Sequence, residues 1–313
     1  MKKKILVTGA AGYIGSMLCE ELVRKGFEVS AVDILNYSKS SLNHLFFFKN
    51  FSFFNYDITK KNNLKKLIKN VDFIIPLAAL VGAPLCEKFK KKATQINLNQ
   101  IKDILELRKK KQKIIYLNSN SGYGIGKKNK YCDEKSLLNP ISHYGKTKVD
   151  AEKKLIKDIN KNFISFRLAT VFGYSYRMRT DLIVNYYVKE SINRSRIDVY
   201  EPKFRRNFIH VRDVVRAIMF SVKNFNKMKN NVYNLGLSNA NITKLQLAKK
   251  VKKINPKTKI IILKNRNDPD QRDYFVSNKK IEKMGFKPKV SLEMGILETF
   301  NCLKNDQDYK NNY

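Results

Sequence analysis

The sequence predicts an α/β fold, with a Rossmann-type, doubly wound parallel sheet and a smaller C-terminal lobe. Short apolar runs alternate with amphipathic segments over the first half of the chain, and a glycine-rich turn follows the first run. Alternating strands and helices form a parallel sheet with helices on both faces. Beyond residue 170 the segments become shorter and richer in Arg, Tyr and Asn, which indicates a smaller lobe over the open edge of the sheet.

The apolar runs are predicted as strands and the amphipathic segments as helices. In chain order, the predicted strands are residues 5–8, 28–33, 51–56, 73–76, 113–118 and 163–168. The predicted helices are residues 14–25, about 94–110 and about 142–159. Residues 305–313 are polar, so we expect a frayed tail there.

The composition of the 313 residues, 43% hydrophobic and 29% charged, is that of a globular protein. It excludes disorder, collagen and small disulfide scaffolds. No apolar run reaches the roughly 18 to 20 residues that a membrane-spanning helix needs. We therefore expect a cytoplasmic protein without a membrane partner. Four cysteines lack paired metal-ligand spacing, so we expect reduced thiols and no metal site. They are Cys19, Cys86, Cys132 and Cys302.

The charge is strongly basic, because 63 Lys and Arg face 27 Asp and Glu, which gives a formal net charge of +36. Such a charge can indicate a nucleic-acid partner. However, 50 of these residues are Lys and only 13 are Arg, and the lysines are scattered in short runs on predicted helix surfaces. Bidentate recognition of phosphate favours Arg. We therefore expect a solvated surface and no nucleic-acid partner, with a field that steers anionic small molecules toward a cleft.

The glycine-rich turn, residues 8–15, lies between the first strand and the first helix. Small residues there let the backbone approach a pyrophosphate at the positive end of the helix. Asp33 follows 24 positions after Gly9, where a carboxylate would accept the ribose hydroxyls and repel a 2′-phosphate. The pattern predicts NAD rather than NADP, against the alternative of a turn without a ligand. The residues expected at the nucleotide are Gly9, Gly12, Tyr13, Ile14 and Gly15.

A second set of polar residues has the chemistry for proton transfer. Tyr144 and Lys148 are four positions apart on a predicted helix and therefore share one face. A tyrosine with a pKa of about 10 is a poor base at neutral pH, but a nearby ammonium and a nicotinamide cation favour its phenolate. Ser119 and Ser121 end the preceding strand, at the carboxyl edge where such sheets bind ligands.

With these motifs together, the chain resembles the extended short-chain dehydrogenase/reductase superfamily, in particular the NAD-dependent epimerase/dehydratase family of nucleotide sugars. The resemblance covers about residues 3–300. It implies that Ser119 orients a sugar hydroxyl, that Tyr144 is the base, and that Lys148 assists Tyr144 and binds ribose. The further cofactor contacts that it implies are Asp57, Ile58, Leu77, Ala78, Ala79 and Asn97.

The resemblance also implies a nucleotide diphosphate held between two lobes. Arg206 corresponds to the family's phosphate-binding arginine, and Arg272 is a second candidate unless it pairs with Asp270 or Asp273. Ser121 is a further candidate for the substrate. Arg177 and Arg179 follow the last predicted strand, where they could contact the base or sugar or could form an ion pair with Asp181; these substrate-site candidates are Ser121, Arg177, Arg179, Arg206 and Arg272.

Two departures from the family pattern narrow the reaction. Sugar 4,6-dehydratases carry Asp and then Glu after the catalytic hydroxyl, whereas this chain has Asn120 and Ser121, which argues against dehydration. Thr170 replaces the usual Asn of the next loop and Tyr174 the common Pro. Several longer stretches are most similar to a subgroup that contains GDP-heptose 4-dehydrogenases, which favours oxidation at C4.

We thus expect NAD-dependent oxidation at C4 of a nucleotide-activated sugar, GDP-heptose-like or a UDP-hexose, by a 4-epimerase or a 4-dehydrogenase. The alternative is a noncatalytic relative that binds NAD or RNA. The resemblance implies a homodimer formed through the helices near residues 94–110 and 142–159. The expected division is an NAD-binding Rossmann domain, 1–172 completed by about 205–235, a substrate-binding lobe, 173–204 and 236–304, and the tail, 305–313.

Overall fold

The computed structural model describes residues 2–126, 130–264 and 272–305. Its strands are β1 (Lys4–Thr8), β2 (Glu28–Val32), β3 (Phe51–Phe54), β4 (Phe73–Pro76), β5 (Lys113–Ser119), β6 (Tyr131–Cys132), β7 (Phe163–Leu168), β8 (Thr170–Phe172), β9 (Arg196–Tyr200), β10 (Arg205–Arg206), β11 (Phe208–His210), β12 (Asn231–Leu235), β13 (Ile242–Thr243), β14 (Lys259–Leu263) and β15 (Phe275–Val276). Its helices are α1 (Tyr13–Arg24), α2 (Lys61–Ile68), α3 (Ala83–Lys88), α4 (Lys90–Thr94), α5 (Gln100–Leu107), α6 (His143–Lys157), α7 (Ile183–Arg194), α8 (Val211–Lys223), α9 (Phe225–Met228), α10 (Lys244–Ile254), α11 (Lys279–Lys283) and α12 (Leu292–Asn305).

Seven of these strands form the central sheet in the order β12-β7-β5-β4-β1-β2-β3, and all neighbours are parallel. Strands buried on both faces need nearly continuous apolar runs. Accordingly, every residue of β4 and β7 is buried. The predicted Rossmann-type parallel sheet is therefore confirmed. The seventh strand, β12, comes from the C-terminal half of the chain.

Apolar side chains cover both faces of the sheet. One cluster packs α1 and α8 against it through residues such as Leu18 and Ile218. Another packs α2, α5 and α6 against the opposite face through residues such as Leu64 and Leu155. A third cluster joins α7, α10 and α12 with β9 outside the sheet. The domain boundaries expected from the sequence stay a prediction.

Helix boundaries differ most from the prediction between residues 90 and 110. The helix predicted to begin near residue 94 starts at Lys90, and a π-helical turn, Gln95–Asn99, joins α4 to α5. It ends at Leu107, since the backbone of Arg108 is extended, and the buried Arg108 guanidinium donates to the carbonyl oxygen of Gln112 at 2.9 Å. None of the helices in the described part of the chain is long and apolar enough to cross a bilayer.

The strand order reverses between β1 and β4, since β2 and β3 lie on one side of this pair and β5, β7 and β12 on the other. Ligands of open parallel sheets bind at such a point, outside the carboxyl ends of the strands. The glycine turn follows β1, and Ser119 ends β5. The fold thus brings both predicted motifs to the same edge.

Candidate active site

At two positions of the turn between β1 and α1, only glycine fits. Gly9 has a φ of +68°, and a Cβ on it would lie 2.5 Å from the backbone nitrogen of Ala78. A Cβ on Gly15 would lie 2.2 Å from the carbonyl oxygen of Gly9. Gly12 begins α1, and among the described residues no side chain caps this helix start. The turn therefore presents amide donors at a helix N-terminus, where a pyrophosphate binds.

Asp33 lies directly after β2 and beside the glycine turn. Its two carboxylate oxygens accept hydrogen bonds from the backbone nitrogen of Ala11 at 3.0 Å and from that of Leu35 at 2.8 Å. Burial raises the pKa of Asp33, against these hydrogen bonds and the charge of Arg177. Each carboxylate oxygen can accept a second hydrogen bond. Asp33 is therefore held rigidly and can still accept ribose hydroxyls.

The segment after β4 packs directly under the glycine turn. The backbone nitrogen of Leu77 donates to the Thr8 carbonyl at 3.0 Å, and that of Ala78 donates to the Thr8 hydroxyl at 3.3 Å. The Thr8 hydroxyl donates to Gln100, whose amide nitrogen donates to the carbonyl of Ala78 at 3.0 Å. Thr8, which begins the glycine-rich turn, and Gln100, which the sequence analysis did not identify, thus fix Leu77 and Ala78 beside this turn.

Asp57 and Ile58 make local contacts in the structure. The Asp57 carboxylate accepts hydrogen bonds from the backbone nitrogen and the hydroxyl of Thr59, at 2.9 and 2.7 Å. Ile58 is buried in the apolar cluster around Leu64. These contacts shape the turn before α2. An adenine contact of either residue stays a prediction.

Ser119 and Ser121 lie side by side at the end of β5. The Ser119 hydroxyl donates to Ser121 Oγ at 3.1 Å and accepts from the backbone nitrogen of Ser121 at 3.1 Å. From the segment before β15, Arg272 Nη1 donates to Ser121 Oγ at 3.4 Å. The structure thus joins one predicted substrate arginine to the predicted catalytic edge. Of the surrounding motif, residues 268–271 lie outside the described residues.

Helix α6 brings Tyr144 and Lys148 to this edge. Ser142 caps the helix, since its side chain accepts from the backbone nitrogen of Gly145 at 3.2 Å. A Cβ on Gly145 would lie 3.3 Å from the carbonyl oxygen of Ser121, so the first turn of α6 packs closely on the Ser121 backbone. Tyr144 is half-buried and packs against a small cluster that contains Leu80 and Cys86.

Lys148 is only 5% exposed, and its ammonium lies 4.2 Å from the centroid of the Tyr116 ring. Burial lowers the pKa of Lys148 to about 7, although the charge of Glu152 opposes this shift. The Tyr116 hydroxyl donates to the carbonyl oxygen of Lys148 at 3.2 Å. Tyr116 therefore supports both the backbone and the charged end of the lysine.

Glu152, one turn beyond Lys148, is fully buried and forms an ion pair with Arg167 of β7. Its Oε1 accepts from Arg167 Nη2 at 2.7 Å and from Nε at 3.0 Å, and its Oε2 accepts from the Ser165 hydroxyl at 2.6 Å. Sequence reasoning missed this pair. Two signals were present, because Glu152 lies four positions after Lys148 and a charged residue in a buried strand requires a partner.

Asn97, in the π-helical turn, connects three segments. Its amide group exchanges two hydrogen bonds of 2.9 Å with the backbone of Leu80, and its nitrogen donates to the Thr147 hydroxyl at 3.3 Å. Thr147 precedes Lys148 on α6. Asn97 thus braces helix α6 against the loop after β4. A direct cofactor contact of Asn97 stays a prediction.

Arg206, the predicted phosphate ligand, is 1% exposed and donates through Nη1 to the carbonyl oxygen of Arg205 at 2.9 Å. The neighbouring Arg205 binds the Asp273 carboxylate, with Nε to Oδ1 at 2.9 Å and Nη2 to Oδ2 at 3.1 Å, and stacks on the Phe275 ring at 4.2 Å. This pair, which sequence reasoning missed, attaches the segment that carries Arg272 to β10.

Arg177 and Arg179 have different side-chain contacts in the structure. Arg179 forms an ion pair with Asp181, with Nε 3.1 Å from Oδ1. The sequence analysis gave this ion pair as the alternative to a substrate contact. The Arg177 guanidinium lies instead 4.5 Å from the centroid of the Tyr37 ring, in the loop after β2. Tyr13 of the glycine turn also contacts this segment, since its hydroxyl donates to the Gly173 carbonyl at 2.6 Å.

NAD fits the residues of this edge. The glycine cradle would be filled by a Cβ at Gly9 or Gly15, the start of α1 offers amide donors, and Asp33 faces the same turn. The backbone of Leu77 and Ala78 lies directly against Gly9 of this turn. Within the described ranges, no group of three His, Cys, Asp or Glu side chains is placed to hold a metal ion.

Comparisons with known proteins agree with this geometry. Residues 5–236 match the model of the NAD dependent epimerase/dehydratase family. The chain is 26% identical to a dTDP-D-glucose 4,6-dehydratase of Dictyostelium discoideum, over 98% of this chain and 83% of that protein. It is 28% identical to a putative UDP-glucose 4-epimerase of Methanocaldococcus jannaschii, over 96% and 99%. The solved structure of UDP-glucuronic acid 4-epimerase from Bacillus cereus, in complex with UDP-glucuronic acid and NAD, has the same fold, with a TM-score of 0.86 at 24% identity over 96% of this chain and 99% of that chain.

Proposed function

The chain belongs to the NAD-dependent epimerase/dehydratase family of enzymes, and from this premise we propose that it oxidises the C4 hydroxyl of a nucleotide-activated sugar. One observation carries the proposal. The Ser119–Ser121 pair, the α6 face with Tyr144 and Lys148, and Arg272 meet at the carboxyl edge of the sheet, next to the glycine turn.

In the proposed mechanism, the Ser119 hydroxyl orients the sugar hydroxyl and Tyr144 takes its proton. Lys148 favours the phenolate of Tyr144 when its ammonium is charged. Tyr116 and Asn97 hold α6 in position. Glu152, one turn further along α6, supplies a buried negative charge that favours the charged form of Lys148. NAD, which the glycine turn and Asp33 would hold, would supply the hydride acceptor for this oxidation.

For the substrate, we propose that Arg206 and Arg272 bind the diphosphate, with Ser121 beside the sugar. Planar guanidinium groups suit phosphate oxygens. The curated relatives named above act on dTDP- and UDP-sugars by their names, whereas the longer stretches of this sequence favour a GDP-heptose. Both a UDP-hexose and a GDP-heptose are therefore candidate substrates, and we also propose a cytoplasmic homodimer.

For the outcome, we infer that hydride transfer at C4 is not followed by dehydration. Elimination across C5 and C6 needs an acid and a base after the catalytic hydroxyl, and this chain has Asn120 and Ser121 there. The two outcomes that we retain are return of the hydride to the other face, which is 4-epimerisation, and release of the ketone, which is 4-dehydrogenation.

The experiment is incubation with a panel of GDP- and UDP-sugars in the presence of NAD, with NADH absorbance and product stereochemistry read together. Tyr144→Phe should reduce turnover by roughly 10² to 10⁴, the contribution of a positioned acid or base, and should leave NAD affinity unchanged because the ring remains. A 4-deoxy sugar nucleotide is the matched substrate control and should yield no NADH. Near-normal turnover by Tyr144→Phe, or a 4,6-dehydrated product from the wild type, would contradict the mechanism.

A further inference from the structure

The segment after β8, residues 173–177, is fastened to helix α1 beside the glycine turn. The Tyr13 hydroxyl donates to the carbonyl oxygen of Gly173 at 2.6 Å, and the Ser175 hydroxyl donates to the carbonyl oxygen of Tyr13 at 2.6 Å. The Tyr176 hydroxyl donates to Glu20 at 2.7 Å. These contacts join residues about 160 positions apart. They place the start of the lobe against the nucleotide end of the sheet.

Two consecutive side chains of this segment then contact the loop after β2. The Tyr176 and His44 rings lie 4.2 Å apart between centroids, and the Arg177 guanidinium lies 4.5 Å from the centroid of the Tyr37 ring. A cation over an aromatic face at this distance is attracted to it. The contact therefore gives the Arg177 side chain a defined direction, toward the loop that begins with Asp33.

The loop itself is tied to the glycine turn. The Ser41 hydroxyl donates to the carbonyl oxygen of Ala11 at 3.0 Å, and the Asp33 carboxylate accepts from the Ala11 nitrogen at 3.0 Å. The positive charge of Arg177 acts on Asp33, since it opposes the rise in the pKa of this carboxyl. Arg177, Tyr37 and Asp33 thus lie together beside the glycine turn, at the adenosine end of the predicted NAD site.

We propose that Arg177 is a cofactor-binding residue, which reaches from the C-terminal lobe to the adenosine half of NAD and is held in place by the Tyr37 ring. The guanidinium supplies a positive charge beside the diphosphate and ribose, while Asp33 retains the ribose hydroxyls. This role replaces the substrate contact that the sequence left open for Arg177. The proposal depends on NAD binding and is independent of the reaction at C4.

The test is calorimetric titration of NAD and of ADP, the adenosine half alone, into the purified protein without any nucleotide sugar. Arg177→Ala should weaken NAD and ADP binding by the same factor, about tenfold, which corresponds to about 1.4 kcal/mol. Tyr37→Leu should weaken both about threefold, a smaller loss because the guanidinium remains and loses only its support. Tyr37→Phe keeps an aromatic face and should bind both ligands as the wild type does.

The matched control is Arg194→Ala, because Arg194 lies at the exposed end of α7 and pairs with Glu190. It removes the same charge and should leave both affinities unchanged. Titration of UDP and GDP completes the set, and Arg177→Ala should bind them as the wild type does. Unchanged ADP affinity in Arg177→Ala would overturn the proposal, as would a loss confined to UDP or GDP. If Arg177→Ala fails to fold, the Tyr37→Leu and Tyr37→Phe pair decides in the same way.

Discussion

At the scale of single residues, Lys148 has the environment that matters most for the proposed chemistry. Its side chain is almost completely buried, yet Glu152 and the Tyr116 ring lie close enough to stabilise its charge. Glu152 is shared, because it also binds Arg167 through two hydrogen bonds. One buried carboxylate therefore faces two cations, and the burial of Lys148 is only partly compensated.

This environment predicts a pH-dependent effect of Lys148→Met on stability. The pKa of Lys148 is lowered to about 7 in the folded chain, whereas an unfolded lysine has a pKa of about 10.4. Between these values only the unfolded state binds the proton, so the free energy of unfolding of the wild type rises with pH. Below pH 7 both states are protonated, and the wild type carries the full cost of a buried charge.

Lys148→Met should therefore be more stable than the wild type at pH 6, and the difference should shrink by about 3 to 5 kcal/mol between pH 7 and 10, at about 1.36 kcal/mol for each pKa unit. Urea unfolding at a series of pH values measures it. Lys154→Met, at an exposed lysine of the same helix, is the control and should show a difference that does not change with pH. A constant difference for Lys148→Met would show that the buried lysine does not titrate in this range.

The sequence predicted individual residues where one local pattern suffices. Gly9, Gly15 and Asp33 follow from a turn and a strand end, and their conformation and contacts fit a nucleotide site. The partners of Arg167 and Arg177 could not be predicted, because Glu152 and Tyr37 reach them only through the packing of distant elements. Such contacts depend on how distant elements pack together, which the spacing of residues within one segment does not predict.

At the scale of elements, the joint between β1 and α1 is tightly packed through backbone atoms. The carbonyl oxygens of Gly9 and Ala10 lie where a Cβ on Gly15 would be, at 2.2 and 2.7 Å. Backbone atoms cannot move aside as a flexible side chain can. The start of α1 is therefore fixed relative to the turn that presents the amide donors.

Gly15→Ala should accordingly lower the free energy of unfolding by about 1 to 3 kcal/mol, the usual cost of overpacking, and should weaken NAD binding at least tenfold because the helix start is displaced. Thermal unfolding and NAD titration measure the two effects. Gly26→Ala is the matched control, since Gly26 has a φ of +81° with open space around it. Gly26→Ala should lower the free energy of unfolding, because alanine is strained at this positive φ, and should leave NAD affinity unchanged. Equal NAD affinity in both variants would show that the packing of Gly15 does not affect NAD binding.

The elements were predicted best where they are buried. The six strands predicted from apolar runs all occur in the sheet, although β3 ends at Phe54 and not near residue 56. The helix near residues 94–110 was placed less well, because the π-helical turn and the buried guanidinium of Arg108 set its course. Its boundaries follow from contacts with the sheet and with α6 rather than from its own periodicity.

At the scale of the whole molecule, the net charge of +36 is the dominant property. Much of it belongs to lysines on exposed helix faces, such as Lys65 and Lys66 on α2 and Lys153 and Lys154 on α6. Several arginines described above, such as Arg177, Arg205 and Arg272, instead contact fixed partners. The overall field attracts anions, while the placed guanidinium groups provide the geometry that selects among them.

We therefore predict that duplex DNA binds only through this diffuse field. Its affinity should fall steeply with salt and be lost between about 0.05 and 0.3 M, because binding depends on counterion release. Fluorescence anisotropy with two duplexes of unrelated sequence measures this dependence. The two duplexes should behave alike at every salt concentration. A preference for one of them that persists at 0.3 M salt would show a nucleic-acid site that the lysine distribution does not indicate.

The Glu152–Arg167 pair also constrains how this sequence can change over time. Loss of Glu152 leaves the buried Arg167 and Lys148 without the carboxylate that they share, at a cost of about 3 to 5 kcal/mol, which is a large part of the stability of a typical domain. We therefore expect substitutions at positions 152 and 167 to be coupled, so that homologous sequences retain both residues or change both. A design that grafts Tyr144 and Lys148 onto another parallel sheet must therefore include both helix α6 and strand β7.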